Sequence, residues 1–573
     1  MRLFNFTAEN CKNCNKCVKD CPVKAIRFIN NKAEIDEEKC IACGLCFTAC
    51  PKHARNVEND IERVETAIDM GKNVVACVDS AYIGAFEDPA KFVAALKKYG
   101  FSQVLESAAG SEKITAEYIK YAEEYAGKKK YFITSSCPAI YLYVEKYHPD
   151  LMEYLIPVDT PMMAIAKAVK KEDPDAVTVY IGPCLSKKYE TLPKENDAIL
   201  NYHITFVEIL RMFGSKGIVM NSLEGMAPDL AARTTGESYS ISGDMWETIK
   251  DIMYEHDYDV FAIDGMDSIK ELFKSMTKGT LAKCYVGVSA CTESCINGPF
   301  IPKNAPDLFV RRQKIRAFAR HGWREKGKQV DWDKIDVSKS FEIRDPKRKR
   351  ATNEEIEEIL HKMGKHTRAD EFDCGACGYN TCREKAQGVF EGMTDIEMCW
   401  PRLREKAKRK GDTIFENSRN IILMLDKELN IIQINPVAEK NFKYKSEEIQ
   451  GCNVSFLNLN IEDIEAMKCA MDKKTDILNK KMFIDDYGLV VMCNIVYIEG
   501  DELFVSMQNI TEEEMRKEKL IELKHNAAEI AQNVIEKQMR VAQEVASLLG
   551  ETTAETKVVL NKLKEVMMKE EGE

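Results

Sequence analysis

Eight cysteines near the amino terminus fall into two copies of one spacing, and no other feature constrains the fold of this chain as strongly. Each copy reads Cys-x2-Cys-x2-Cys-x3-Cys-Pro, the first from Cys11 to Pro22 and the second from Cys40 to Pro51. The chain has 21 cysteines, and most of them stand in spaced groups. In an intracellular protein, grouped cysteines are typical of metal ligands rather than disulfides, and thiolates favour soft metals and iron–sulfur clusters. The repeat therefore predicts metal centres in the first part of the chain.

The repeated spacing resembles that of bacterial two-cluster ferredoxins, in which three cysteines of each run bind one cubane and the fourth binds the other. Residues 1–56 are therefore predicted to be an α+β ferredoxin module that moves electrons through two [4Fe–4S] clusters. The first predicted ligand set is Cys11, Cys14, Cys17 and Cys50, and the second is Cys40, Cys43, Cys46 and Cys21. A pair of structural zinc sites is the alternative, which the duplicated pattern disfavours.

Length and charge place this module in a larger, multidomain protein. A chain of 573 residues is too long for one core, which predicts several domains. The net charge is −11 and the longest basic run is 347–350, so we predict no nucleic-acid partner. The sequence shows neither a signal-peptide pattern nor a run of about eighteen apolar residues, so we expect a cytoplasmic protein with no membrane span.

Between residues 57 and 345 short buried strands alternate with helices, which predicts an α/β domain with a largely parallel sheet. The predicted strands are 74–78, 131–134, 177–181, 260–263 and 285–288. Ligand sites in such sheets lie beyond the carboxyl ends of the strands. Cysteines follow three of these strands, and they are Cys137, Cys184, Cys291 and Cys295. Four thiolates can meet there at one cubane, although each cysteine alone can equally be an ordinary buried residue.

The three cysteine-bearing loops resemble, in order, the signature motifs of the [FeFe]-hydrogenase family. They read Thr134-Ser-Ser-Cys-Pro, Gly182-Pro-Cys-x2-Lys-x2-Glu and Cys291-x3-Cys295. The family patterns are T-S-C-C-P, M-P-C-x-x-K-x-x-E and C-x-x-x-C, and the resemblance covers about residues 1–310. It implies that the four central cysteines hold the [4Fe–4S] part of an H-cluster, with Cys295 bridging to a diiron [2Fe] unit that carries CO and CN ligands.

The same resemblance implies roles for two charged residues of the second loop. Lys187 would donate a hydrogen bond to a cyanide ligand, with Glu190 as its nearby partner. A charge-assisted hydrogen bond of this kind offsets the cost of burying an ammonium group. The alternative for Lys187 is an ordinary solvated lysine.

Three positions depart from the family patterns, and they predict slow turnover. The cysteine that relays protons in active members is Ser136 here, and the two methionines that shape the diiron pocket are Gly182 and Ser289. A thiol has a pKa near about 8.5, whereas an alcohol is a far weaker acid, and an efficient relay needs a pKa near the working pH. Glu117 is the candidate for the family's relay glutamate, although a gap leaves that alignment open.

Residues 346–405 contain four further cysteines in a Cys-x2-Cys-x4-Cys-x16-Cys spacing. They are Cys374, Cys377, Cys382 and Cys399. The pattern resembles a small iron–sulfur domain of corrinoid and Rnf-type electron-transfer proteins, so it predicts one more [4Fe–4S] cluster. Zinc is the alternative, because a four-thiolate site can hold either.

Residues 406–513 carry no cluster motif and resemble an α+β PAS domain. The predicted order is a helix, strands 421–425 and 431–435, helices 438–441 and 446–450, and strands 482–485, 489–497 and 503–508. No histidine lies between His366 and His525, which disfavours a His-ligated haem. Cys452, Cys469 and Cys493 are irregularly spaced and are predicted to be structural, while Cys77 and Cys284 receive no role.

Residues 514–573 are predicted to be helices for dimerisation or output. Apolar side chains recur at heptad-like steps at Ile530, Val534, Val541, Val545 and Leu548. Gly550 would break this run, and Thr552 with Glu555 forms a capping-box signature for a last helix with Val559, Leu563 and Val566. An exposed apolar stripe needs a partner, so we expect a homodimer or a docked output protein. The alternative is that the stripe packs on its own PAS-like domain.

Together these patterns predict a sensory, low-turnover member of the hydrogenase family. Its expected partners are H2 and protons, a ferredoxin-like electron donor or acceptor, hydrogenase maturation proteins, and a separate kinase or phosphatase. One alternative is a working, ferredoxin-linked hydrogenase that interconverts 2 H+ plus two electrons with H2. The other is a non-enzymatic electron-transfer protein that binds only a cubane at the four central cysteines.

Overall fold

The computed structural model describes residues 4–6, 10–29, 32–192, 198–233, 236–323, 327, 329–549, 558–559 and 561–562. The chain divides into two compact units, Met1–Leu403 and Arg404–Glu573. No helix in these described stretches has both the length and the apolar content needed to cross a membrane.

The first fifty-odd residues fold as the predicted α+β module. Two antiparallel strand pairs form it, Phe4–Phe6 with Arg55–Val57 and Ile26–Ile29 with Lys32–Ile35. Each cysteine run contains a single helical turn, Lys16–Lys19 or Leu45–Thr48. The residue before each turn, Asn15 or Gly44, has left-handed backbone angles that bend the chain so that the cysteines on either side approach each other.

The central region is α/β, as predicted, but its strands form two parallel sheets rather than one. The first sheet has the order Gln103–Glu106, Val74–Val78, Val177–Gly182 and Tyr202–Thr205. The second has the order Asp259–Asp264, Cys284–Ser289 and Tyr131–Ile133. The strands at 103 and 202 were not predicted, because four-residue segments with polar ends lack a distinct apolar run.

Helices connect and cover these sheets. They are Ile61–Asp69, Tyr82–Ala85, Pro89–Tyr99, Ser107–Tyr125, Pro138–Tyr147, Pro161–Glu172, Phe206–Ser215, Lys250–Glu255, Met266–Thr277 and Leu308–His321. Several begin with local signals that the sequence carries. The Asp88 carboxylate accepts hydrogen bonds from the backbone of Ala90 and Lys91, directly around Pro89 at the first helical position. Thr205 and Glu208 form a reciprocal capping box.

The four-cysteine region adds the helices Asn353–Lys362 and Cys382–Phe390 to the first unit, and the helix Trp400–Asn417 follows it. In the second unit an antiparallel sheet has the order Ile431–Ile434, Ile421–Leu425, Glu502–Asn509, Leu489–Ile498 and Ile477–Ile484. The helices Pro436–Phe442, Ser446–Ile449 and Ile461–Lys473 accompany it, of which the last was not predicted. Buried Asn435 caps the first of these helices at Ala438 and accepts a hydrogen bond from the backbone of Ile422.

One long helix, Thr511–Leu549, follows the sheet of the second unit. Its heptad-spaced residues Ile530, Val534, Val541 and Val545 are all exposed, between 47% and 64%. Within this unit the stripe is therefore not packed on the sheet, contrary to the alternative reading. The predicted break at Gly550, the capping box at Thr552 and Glu555, and Leu563 and Val566 lie outside the described residues.

Candidate metal centre

The three cysteine-bearing loops meet at one cavity between the two parallel sheets. Cys184 follows a strand of the first sheet, whereas Cys137 and Cys291 follow neighbouring strands of the second. All four predicted cysteines line this cavity, together with Ser136 and Lys187. The carboxyl ends of strands from two parallel sheets thus bring together residues that lie far apart in the chain.

The thiols in this cavity are held in an environment that disfavours free thiolates. Burial, followed by the charge of a Cys184 thiolate, raises the pKa of Cys137 to about 11. Burial and the neighbouring cysteines raise the pKa values of Cys291 and Cys295 well above the usual range. Four clustered thiolates become favourable when a cationic metal group balances their charge. Donor type, number and burial therefore fit an iron–sulfur cluster.

Lys187 is a fully buried lysine whose side chain lines the same cavity. Burial opposes its charge, but Glu190, Cys184, Asp79 and Cys295 together outweigh burial, and the pKa of Lys187 is raised. Glu190, a nearby buried carboxylate, raises the pKa of Lys187 through its charge.

Glu190 is itself fixed by three donors around its carboxylate. These are the hydroxyls of Tyr141 at 3.2 Å and Thr160 at 2.8 Å, and the ammonium of Lys339 at 3.1 Å. The three hydrogen bonds therefore hold the carboxylate in position next to the cavity.

The adjacent Lys188 has a different environment. Its ammonium lies 2.7 Å from Asp60 Oδ2 in a buried ion pair away from the cavity. Lys187 therefore faces the cavity, whereas Lys188 forms an ion pair that links two parts of the fold.

Ser136 lines the cavity, and a buried tyrosine lies behind it. The Tyr118 hydroxyl is 3.2 Å from Ser135 Oγ, accepts a hydrogen bond from the Ser135 backbone at 3.1 Å, and also interacts with the Ser136 side chain. Burial raises the pKa of Tyr118 to about 12. Tyr118 was missed by sequence reasoning.

Glu117, the relay candidate, is not among the residues that line the cavity. Its carboxylate lies 2.6 Å from Lys113 Nζ on the same helix, with 28% of its side chain exposed. The structure therefore does not bring Glu117 to the metal centre, and its neighbour Tyr118 occupies the position next to Ser136.

Asp79 and Tyr180 form a second feature that sequence reasoning missed. Asp79 lines the cavity, is buried, and accepts a hydrogen bond of 2.9 Å from the Tyr180 hydroxyl. A Cβ added at Gly182 would lie 2.1 Å from the Tyr180 hydroxyl and 2.7 Å from Asp79 Cβ. The space next to Gly182 is therefore filled by this pair. The sequence did point to Asp79 in one respect, because this residue directly follows the predicted strand 74–78, where site residues are expected.

We expect Gly182→Ala to destabilise the protein, because its methyl group must displace the Tyr180 hydroxyl or Asp79 from a packed core. Overpacking of this kind costs about 2 kcal/mol. Gly214→Ala is the matched control, because no atom lies within 4 Å of a Cβ there. Calorimetry of the first unit's unfolding transition compares the two variants. If Gly182→Ala and Gly214→Ala unfold at the same midpoint temperature, the Tyr180 side chain moves aside without a cost in stability.

Serine hydroxyls make up much of the remaining wall. They are contributed by Ser80, Ser107, Ser111, Ser186, Ser240, Ser289 and Ser294. Ser289 donates a hydrogen bond of 3.0 Å to Ser294, and Ser186 lies 3.1 Å from the Cys184 sulfur. The cavity is therefore rich in weakly acidic hydroxyls, and no histidine is among the described residues that line it.

The second ferredoxin ligand set adjoins this cavity. Cys21, Cys40, Cys43 and Cys46 line one small cavity of their own, which matches the predicted exchange of the fourth cysteine. Cys43 also lines the central cavity. The backbone approaches closely here, because a Cβ added at Gly44 would lie 2.7 Å from Pro299. The second cysteine set of the module therefore lies directly beside the central cysteines.

The four cysteines of the 346–405 region also share a cavity. Its lining includes Cys374, Cys377, Cys382 and Cys399, with the lysines Lys365 and Lys385. Within the described residues, no three His, Cys, Asp or Glu side chains close on a point that a single metal ion would occupy. The grouping of Cys11, Cys14, Cys17 and Cys50 stays a prediction. Cys77, Cys284 and Cys493 are buried in strands away from these sites, which is typical of structural cysteines.

Family comparisons agree with the position of these sites. Residues 72–299 match the family described as "Iron only hydrogenase large subunit, C-terminal domain". Residues 4–79 match the family described as "4Fe-4S dicluster domain", and residues 370–401 match the family described as "Putative Fe-S cluster".

Individual proteins are similar to parts of this chain. The "Periplasmic [Fe] hydrogenase large subunit" of Nitratidesulfovibrio vulgaris is 29% identical over 309 residues, which are 42% of this chain and 73% of that protein. "Iron hydrogenase 1" of Clostridium pasteurianum is 23% identical over 381 residues, which are 54% of this chain and 66% of that protein. A solved structure titled as a stage of [FeFe]-hydrogenase H-cluster assembly aligns with 50% of this chain and all of its own, at 16% identity and a TM-score of 0.39.

Proposed function

We propose, from the premise that the chain belongs to the [FeFe]-hydrogenase family, that it is a sensory hydrogenase with low turnover. It binds H2 or responds to redox state at an H-cluster and passes that state to a signalling partner. The observation that carries the proposal is the composition of one cavity. Its cluster cysteines and Lys187 are retained, while a serine stands at the proton-relay position.

An H-cluster supplies an iron pair at which H2 is split into two protons and two electrons or formed from them. Cys137, Cys184, Cys291 and Cys295 would hold its [4Fe–4S] part, with Cys295 shared with the diiron unit. Lys187 presents a buried positive charge to the anionic ligands of that unit, and fixed Glu190 keeps the lysine protonated.

Proton movement limits turnover in this proposal. The Ser136 hydroxyl is a poor acid, and the Tyr118 hydroxyl behind it has a pKa of about 12. Neither group easily releases or takes up a proton at neutral pH. A site that binds hydrogen but exchanges protons slowly suits a detector better than a bulk catalyst.

Electrons leave or enter through the ferredoxin module in this proposal. Cys43 borders the central cavity, so the cluster of Cys21, Cys40, Cys43 and Cys46 is the immediate exchange partner. The other predicted cluster includes exposed Cys14, where a ferredoxin-like donor or acceptor would dock. Hydrogenase maturation proteins would be needed to supply the diiron unit.

The second unit would carry the output. Apart from the helix Ile461–Lys473, its sheet and helices occur in the order predicted for a PAS domain, and its long helix presents an apolar stripe. We propose that the stripe forms a homodimer and that a separate kinase or phosphatase reads the resulting state in the cytoplasm.

Replacing Ile530 and Val534 together by lysine should convert the dimer to a monomer, because both side chains are at least half exposed within their unit. Like charges facing each other across the interface would oppose association. Sedimentation of the full chain measures the change. Replacing Gln532 and Gln543 together by lysine is the control, because it adds the same charges about 200° around the same helix from the neighbouring stripe residues. A chain that is monomeric before substitution would contradict the homodimer.

Infrared spectroscopy of the fully matured protein tests the main proposal. Bands from iron-bound CO and CN− are expected, and they should shift under H2. Their absence after maturation would overturn the H-cluster and favour the electron-transfer alternative. Rapid hydrogen evolution with ferredoxin would instead favour a working, ferredoxin-linked hydrogenase.

A further inference from the structure

The four-cysteine region packs directly on the ferredoxin module, although the contacting residues are far apart in sequence. Buried Lys24 donates a hydrogen bond of 3.1 Å to the carbonyl of Gly378, 354 residues away. The same ammonium donates to the carbonyls of Val18 and Lys19. One lysine thus joins the first cysteine run of the module to the loop that follows Cys377.

This contact is a close backbone approach that requires glycine. Gly378 has a φ of +87°, and a Cβ added there would lie 2.8 Å from Val18 Cβ and 3.1 Å from the Asn15 carbonyl. The next residue, Tyr379, is 2% exposed and belongs to the same apolar core as Val18 and Cys21. The two loops therefore touch without intervening solvent.

A second contact fixes the relative position of the two regions. The backbone of Phe28 donates a hydrogen bond of 2.7 Å to Met393. Lys39 forms a 2.9 Å ion pair with Glu391, and both side chains are less than 10% exposed. Two separate tethers make this docking a defined interface.

The touching loops carry cluster ligands. Cys377 directly precedes Gly378, and Cys17 and Cys21 lie on either side of Val18. Electron tunnelling weakens steeply with distance and is fastest through packed protein. We propose that residues 15–24 and 377–379 form an electron-transfer contact, through which the cluster site of the four-cysteine region exchanges electrons with the ferredoxin module. This inference rests on the proposed cluster loading and supplies the route from the hydrogen site toward the output unit.

The transfer is a one-electron step. A reduced module cluster passes from the 1+ to the 2+ state while the cluster at Cys374, Cys377, Cys382 and Cys399 passes from 2+ to 1+, and no proton is required. Lys385 lines that second site and is fully buried. A buried cation next to a cluster stabilises its reduced, more negative form. The four-cysteine site is therefore suited to accept the electron.

Pulsed EPR of the full chain, loaded anaerobically and reduced with dithionite, tests the contact. Two reduced clusters this close should split or broaden each other's signals, and the interaction falls with the cube of their separation. Gly378→Ala should weaken the splitting by wedging the loops apart, and Lys24→Met should weaken it by removing a tether. Gly375→Ala is the matched control, since it shares the positive φ but has no atom closer than 3.9 Å.

Wild-type protein with every cubane loaded and reduced, but without magnetic interaction at the four-cysteine cluster, would overturn the proposal. So would an interaction that persists in a Cys17→Ala, Cys21→Ala variant whose iron content shows that both module clusters are lost. The experiment needs only cubanes. A failed infrared test of the H-cluster would therefore leave this result standing, and the reverse also holds.

Discussion

Replacing Ser136 by cysteine is expected to raise the rate of hydrogen evolution by matured protein about 100-fold. The thiol has a pKa near about 8.5, much closer to neutrality than an alcohol. A well-matched acid–base group contributes roughly 10²- to 10⁴-fold. We expect a gain at the lower end of this range, because Tyr118 lies next to Ser136. Its pKa of about 12 keeps proton transfer through the tyrosine slow. Gas chromatography of H2, with excess reduced electron donor, measures the rate.

Ser240→Cys is the control for this experiment. Ser240 is buried and lines the same cavity, so it adds a thiol without placing it beside Tyr118. We expect no gain from it. If Ser136→Cys turns over no faster while its infrared bands are intact, proton delivery through this position does not limit the rate.

The grouping of the cysteines was largely predictable, because it follows from their short-range spacing and from the strands that they follow. Three cysteines in a short run can bind one cubane only in a few ways, and the exchanged fourth ligand follows from the repeat. The structure places Cys21 with Cys40, Cys43 and Cys46 accordingly. The positions of the central cysteines were predictable because each follows a buried strand. Such strands can be recognised in the sequence as short apolar runs.

What the sequence does not carry is the relative placement of distant segments. The five predicted strands give no sign that 74–78 and 177–181 pair in one sheet while the other three form a second. Nor does any pattern show that Gly378 packs on Val18. Such contacts depend on shape, here on the absence of a side chain at Gly378.

Glu117 and Tyr118 show a second limit. The two residues are neighbours on the helix Ser107–Tyr125, and one residue step turns an α-helix by about 100°. A gap in the motif alignment therefore leaves open which of the two neighbours faces the cavity. The helix phase, set by buried Ser111, Ile114 and Tyr118, decides that the tyrosine faces Ser136.

Lys187→Met is expected to abolish stable retention of the diiron unit while leaving the fold intact. A hydrogen bond from a charged group contributes about 1.5–3 kcal/mol, so its loss should weaken retention about 10- to 100-fold. Methionine fills a similar volume, and Glu190 keeps Tyr141, Thr160 and Lys339 as partners, so no buried charge is stranded. The infrared CO and CN− bands should disappear on gel filtration, while the cubane iron content stays constant.

Lys188→Met separates this effect from a general loss of stability, because the neighbouring lysine faces the other way. Its ammonium forms the buried pair with Asp60, whose side chain is 5% exposed. Asp60 keeps Arg63 as an ion-pair partner at 2.9 Å, so losing the bond to Lys188 costs about 1.5–3 kcal/mol. Lys188→Met should therefore lower the unfolding midpoint but keep the infrared bands in the protein that remains folded. Lys187→Met should instead lose the bands while its fold stays intact. If Lys187→Met keeps its bands through gel filtration, the buried ammonium does not hold the diiron unit, and the cysteines alone must account for its retention.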